Sequence, residues 1–174
     1  NLIQKIAFKI LKKSLKEGNI LWKSLFSGKQ SSVVPNPYEV SAWVFGAVNA
    51  IARNVARIPF VIYRNPNKNF DFSVFESQIV KSGKLFDVFK RPNLLSTWKQ
   101  QIMGTTICLE LYGECFWLLD RSNVTDIPES IWVVNPTRFE PIWNKDKTRL
   151  TGWRYNNKGI SIDFGLDEII FFKY

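Results

Sequence analysis

Apolar positions in this chain follow two periods, and the change between them falls near Gly113. Upstream, apolar residues recur every three or four positions, as on one face of a helix; downstream they alternate or run in short blocks, as in strands. Leu2, Ile3, Ile6, Ala7, Ile10, Leu11 and Leu15 share one side of an expected N-terminal helix, with Lys5, Lys9, Lys12, Lys13 and Lys16 on the other. Gly18-Asn19 stops it, a short apolar run follows, and residues 27–32 read as a linker. Asn36-Pro37 then opens a second helix, Asn as cap and Pro as first helical residue. Val40, Trp43, Val44, Ala47, Val48, Ile51, Val55 and Ile58 carry its apolar positions. Pro59 ends it, because the residue before a proline avoids the helical region. Phe60-Val61-Ile62-Tyr63 reads as a strand and Asn65-Pro66-Asn67 as a turn. Residues 68–83 give only a weak alternation, and a short helical turn over 85–89 closes at Arg91-Pro92-Asn93.

The stretch from Arg91 to Arg121 organises the rest. Thr97 and Gln100 form a capping-box pattern at the start of a helix. Trp98, Ile102, Thr105, Leu109 and Tyr112 make one stripe of it, and Gly113 stands where a helix turns left-handed to end. Cys115 to Leu119 is a continuous apolar run, the mark of a strand buried on both faces. Further strands are expected at 131–134, 139–143, 150–155, 160–164 and 169–172, with Asn135-Pro136, 144–147 and 156–159 as breaks. Their spacing reads as an antiparallel meander. Helices first and strands later place the chain in the α+β class, with helices packed on a mainly antiparallel sheet. Residues 1–30 form a basic amphipathic arm and linker, and 31–174 the domain proper.

Composition narrows the chemistry. The 174 residues contain no histidine, which removes the commonest general base, the histidine-activated nucleophiles and every histidine metal site. Two cysteines, Cys108 and Cys115, are too few for a structural zinc site. Buried thiols of a reducing compartment are the expected reading, with a disulfide as the alternative. Asp120, Asp126 and Glu129, and again Asp163, Asp167 and Glu168, could cluster, but each lies beside turn residues or cations, as solvated loop charge does. A metal-dependent hydrolase would need carboxylates on the ends of core strands. Glu114, alone in an apolar run, is expected to meet a base or a neighbouring subunit. No glycine-rich phosphate loop is present, and neither an enzymatic role nor a cofactor or metal is expected.

The net charge is +9, and aromatics make up 15% of the chain. Residues 1–30 hold seven lysines against Glu17 alone, so much of the positive charge belongs to the arm. A solvated helix face, a nucleic-acid contact, an anionic membrane surface and an acidic partner subunit all fit that pattern. Lys90-Arg91, Trp98-Lys99, Arg138-Phe139 and Trp153-Arg154 set cations beside rings, either as single-strand stacking sites or as ordinary surface cations over a sheet. So many aromatics also suggest that neighbours bury some of them. No apolar run is long enough to span a membrane as a helix, and the lysines through the N-terminus make a poor signal peptide.

Taken in order, these motifs resemble those of tailed-bacteriophage portal proteins, in their N-terminal wing region. The likeness covers about residues 40–174. It runs through the helix ending Ala52-Arg53-Asn54-Val55-Ala56-Arg57-Ile58-Pro59, the strand 60–63, and Leu85-Phe86 with Arg91-Pro92-Asn93. It continues through Leu111-Tyr112-Gly113-Glu114, Ile131 to Pro136, and Asp167-Glu168-Ile169-Ile170. Glu114 stands where the family often has Asn, and Phe171 where it often has His. The resemblance implies Pro59, Pro92, Asn93 and Gly113 as structural positions, and a subunit of a ring, usually a dodecamer, at one capsid vertex of the virion. Double-stranded DNA would pass through its channel during packaging and ejection. Terminase, a head–tail adaptor, capsid and scaffold proteins would be the partners, with assembly in the host cytoplasm. It also implies that stem, clip and channel loop would follow Tyr174. The alternative is a nucleic-acid- or membrane-surface-binding module led by the arm, with Lys5, Lys9, Lys12, Lys13 and Lys16 as its contacts.

Overall fold

Local chain chemistry sets each element. In this computed structural model residues 41–64, 79–123, 126–157 and 160–174 are described. Among the described residues three helices come first: α1 (Ala42–Val55), α2 (Lys84–Lys90) and α3 (Trp98–Tyr112). Six strands follow: β1 (Glu114–Asp120), β2 (Ser130–Val134), β3 (Phe139–Trp143), β4 (Leu150–Asn157), β5 (Ile160–Gly165) and β6 (Ile169–Lys173). A 3₁₀ turn over Pro136–Arg138, capped by the Asn135 side chain, joins β2 to β3.

The capping box at α3 forms as its sequence predicts. The Thr97 hydroxyl accepts from the Gln100 N–H, and the Gln100 side chain accepts from the Thr97 N–H at 2.8 Å. Gly113 caps the far end at φ +71°, and its N–H donates to the Leu109 carbonyl at 2.8 Å. An added Cβ there would meet nothing within 4 Å, so backbone conformation alone calls for glycine. That corner turns α3 straight into β1.

β1 is the centre of the fold. It lies between β2 and β6 in one antiparallel three-stranded sheet; β3, β4 and β5 form a second. On one face of the first sheet, Cys115, Trp117, Leu119, Ile131 and Val133 pack against Ile107 and Cys108 of α3, with Val48 and Ala52 of α1 beyond. On the other face, Phe116, Leu118, Trp132, Val134 and Ile169 pack against Trp153, Tyr155 and Phe164 of the second sheet. The layers therefore run α1, α3, first sheet, second sheet.

Four expectations change. The cap of α1 is Ser41, whose hydroxyl accepts from the Val44 N–H; Asn36 and Pro37 lie outside the described residues. The helix stops at Val55 and a turn leads on to Pro59, so the proline bounds the element without being its last step. Residues 60–63 join neither sheet: Tyr63 makes an isolated bridge to Ile79, and the Val80 N–H donates to the Ile62 carbonyl at 2.8 Å. The Phe60 ring instead stacks on Phe89 and Trp98, with centroids 5.1 and 4.5 Å apart. Finally, the meander holds only for β3–β4–β5, and β6 crosses back to pair with β1. Ring contacts on both faces accompany this pairing: on adjacent positions Phe171 packs on Phe116, and Phe172 on Trp117.

Candidate functional site

The Arg91–Arg121 stretch carries no reactive constellation; what it positions is structural. Pro92 is fully buried, and its carbonyl accepts from the Ile131 N–H at 2.7 Å. The Asn93 amide donates to the Ile131 carbonyl at 2.8 Å, and its Oδ1 accepts from the Leu95 N–H. One dipeptide therefore satisfies the outward-facing backbone of β2 at Ile131. Thr105 Oγ1 donates to the Gln101 carbonyl and accepts from Trp117 Nε1 at 2.7 Å, pinning α3 to β1. The Gln101 amide is fully buried beside it, with no hydrogen-bond partner among the described residues for either terminal atom. Cys108 and Cys115 are free, buried thiols. The hydrogen bond between them, with burial, pushes the Cys108 thiol well above its usual range, so it stays neutral. Both cysteines stand here as thiols and not as a disulfide.

The carboxylates are spent on loops. Asp120 accepts from the Ser130 hydroxyl, Glu129 from Ser122, Asp126 from Asn123, and Glu168 from the Gly165 N–H. Asp163 makes a two-pronged pair with Arg154 at 2.7 and 2.9 Å. Those bonds hold its carboxyl below the usual range. Glu114 sits opposite Lys173 in the β1–β6 register. Among the described residues no group of three or more His, Cys, Asp or Glu could share a metal ion, and no helix is long and apolar enough to cross a membrane.

The rings beside cations turn inward. Trp153 is buried and Phe139 stacks on Phe116 at 4.3 Å. Trp98 is enclosed by Phe60, Phe89 and Trp117. Arg138 donates to the Tyr155 hydroxyl and Arg154 pairs with Asp163, so these cations serve the sheet. Lys5, Lys9, Lys12, Lys13 and Lys16 lie outside the described residues. Pro59 is exposed, Pro92 and Asn93 are buried beside Ile131, and Gly113 lies at the end of α3.

What sequence reading missed is that α1 is apolar on two sides. Val48 and Ala52 face α3, but Trp43, Ile51 and Val55 face outward, with Trp43 88% and the following Ile58 69% exposed. A single stripe at three-to-four spacing hid this, because it was wide enough for two partners.

The family model described as phage portal protein matches residues 42–174. The chain belongs to the phage portal protein family. Its α+β fold is likewise portal-like. The solved structure titled "Neck of empty GTA particle computed with C6 symmetry" matches with TM-score 0.57 and 18% identity, over 88% of this chain and 35% of that one. "Virion of native gene transfer agent (GTA) particle" matches with TM-score 0.57 and 18% identity, over 88% and 34%. "Neck of native GTA particle computed with C12 symmetry" matches with TM-score 0.55 and 18% identity, again over 88% and 34%. The portal chain thus spans about a third of the length of the solved chains it resembles. No curated protein matches it.

Proposed function

We propose that this portal chain is the wing region of a subunit that assembles into a ring, typically twelve-fold, at one vertex of a phage capsid. The family match over residues 42–174 carries the reading. In the ring, the layered domain acts as a rigid wedge whose role is placement, not chemistry. The ring encloses the channel for packaging and ejecting double-stranded DNA. It docks terminase and later a head–tail adaptor, and it meets capsid and scaffold proteins during assembly in the host cytoplasm. The apolar outer face of α1 agrees with a domain that neighbours cover.

The test is electron microscopy and mass measurement of the complete gene product that contains this chain. Closed rings around a central channel are the expected result. A strictly monomeric product across a range of concentration and salt overturns the reading.

A second reading is supported by the seven lysines among residues 1–30. There the arm leads binding to DNA or to an anionic membrane. Deleting residues 1–30 then removes most retention on DNA or on anionic vesicles; retention unchanged by the deletion sinks it.

A further inference from the structure

Charge divides this chain as sharply as secondary structure does. From 41 to 100, nine Lys and Arg stand against three carboxylates, Asp71, Glu76 and Asp87. From 101 to 174 the sign reverses, with ten carboxylates against eight cations. The basic half holds the outward apolar stripe of Trp43, Ala47, Ile51 and Val55, with the exposed Arg53 and Arg57 beside it. The acidic half has its own focus. The Leu119 N–H donates to the Glu168 carbonyl and the Glu129 N–H to the Asp120 carbonyl, so Asp120, Glu129 and Glu168 share one end of the first sheet. Exposed Asp126, Glu129 and Asp167 belong to the β1–β2 and β5–β6 connections, as do exposed Ile127 and Leu166.

We infer that these two patches are the two halves of one contact: the α1 face of one subunit docks on the acidic strand-end corner of the next copy. An apolar centre with charged groups around it is the composition of a protein interface. Phosphates would gain nothing from the Trp43–Val55 stripe. The opposite signs bring the two patches together and fix the direction of pairing. Two different, complementary patches suit a head-to-tail contact, which generates a ring where the rotation closes. This inference rests on the ring reading above and names the surfaces that carry it.

Charge reversal in the complete gene product tests it. Arg53→Glu with Arg57→Glu, or Asp126→Lys with Asp167→Lys, each lowers ring yield by roughly tenfold or more, because like charges then face each other. Combining the four substitutions restores rings. All four side chains are exposed, so circular dichroism and melting temperature stay at parental values. If the parent forms rings and neither reversal disturbs them, this contact is wrong and the ring reading stands. If the parent forms none, the ring reading itself falls. Single-side loss without rescue by the combined variant also overturns the pairing. Two further outcomes reassign the α1 face. Reversals that abolish DNA retention yet leave rings intact give it to nucleic acid. Ring loss only on deleting residues 1–30, with the reversals silent, gives it to the arm.

Discussion

The two faces of β1 are held by different physics. Towards the second sheet the contacts are rings on rings: Phe116 is fully buried against Phe139, Trp153 and Phe171, with centroids 4.3, 4.7 and 4.8 Å away. Towards α3 the packing mixes apolar groups with polar pegs: Thr105 to Trp117, a buried Gln101 amide, and two thiols. A dry aromatic stack gives cohesion in proportion to buried area, with an added gain from ring geometry. Polar pegs add little net energy when satisfied but fix the placement of one element on another. One side of the strand supplies strength and the other supplies position.

Substitutions can break or sharpen that contrast. The largest effect belongs to the aromatic face. Phe116→Ala is expected to cost about 3–5 kcal/mol, read as a lower denaturation midpoint, because a cavity opens among rings that cannot all close in. A cost near that of a surface substitution would show that the second sheet is not anchored there.

Next comes the corner between the faces. Gly113→Val should cost about 1–3 kcal/mol, all of it backbone, since the space around the position is open. Chemical denaturation reports it, and a midpoint equal to the parent's would mean that the left-handed turn is not required.

On the polar face, Thr105→Val keeps the shape and strands the Trp117 indole N–H, for about 1–2 kcal/mol. Trp117 fluorescence should shift along with the midpoint. A silent substitution would remove positioning from the description of this face.

The smallest change has the opposite sign. Gln101→Met replaces a buried amide, unpartnered among the described residues, by an apolar chain of similar length, and is expected to leave stability unchanged or raise it by about 1 kcal/mol. A clear loss would mean that the amide has a partner which the described residues do not supply.

Much of this was legible in the sequence, and the legible parts share a cause. Thr97, Gln100 and Gly113 act through bonds within a few residues, so local pattern suffices. The continuous apolar run of β1 announced a strand covered on both sides. The same signal stood in Ile169 to Phe172, yet spacing drew β6 into the meander. A continuous apolar run, set against the alternation in β4 and β5, would have assigned it to the sandwiched sheet. Residues 60–63 misled because aromatic and β-branched content fits a ring cluster as well as a strand. The outward face of α1 was hidden for a different reason: periodicity reports how wide an apolar stripe is, not how many partners share it. The gathering of Asp120, Glu129 and Glu168 at one end of the first sheet depends on a long-range strand pairing that no local pattern encodes.

The Asn93 amide bound at Ile131 has a consequence for life among identical copies. A side-chain amide offers the same donor as a peptide group but ends there, so it occupies the ladder position without continuing it. Many copies brought to one place present the same strand margins to one another, and an open margin is a template for unintended strand addition. With Pro92 and Asn93 seated on Ile131, β2 offers no vacant pair at that point for a neighbour to zip onto. Recognition between copies is then left to side chains, which can tell the correct face from a wrong one where backbone cannot.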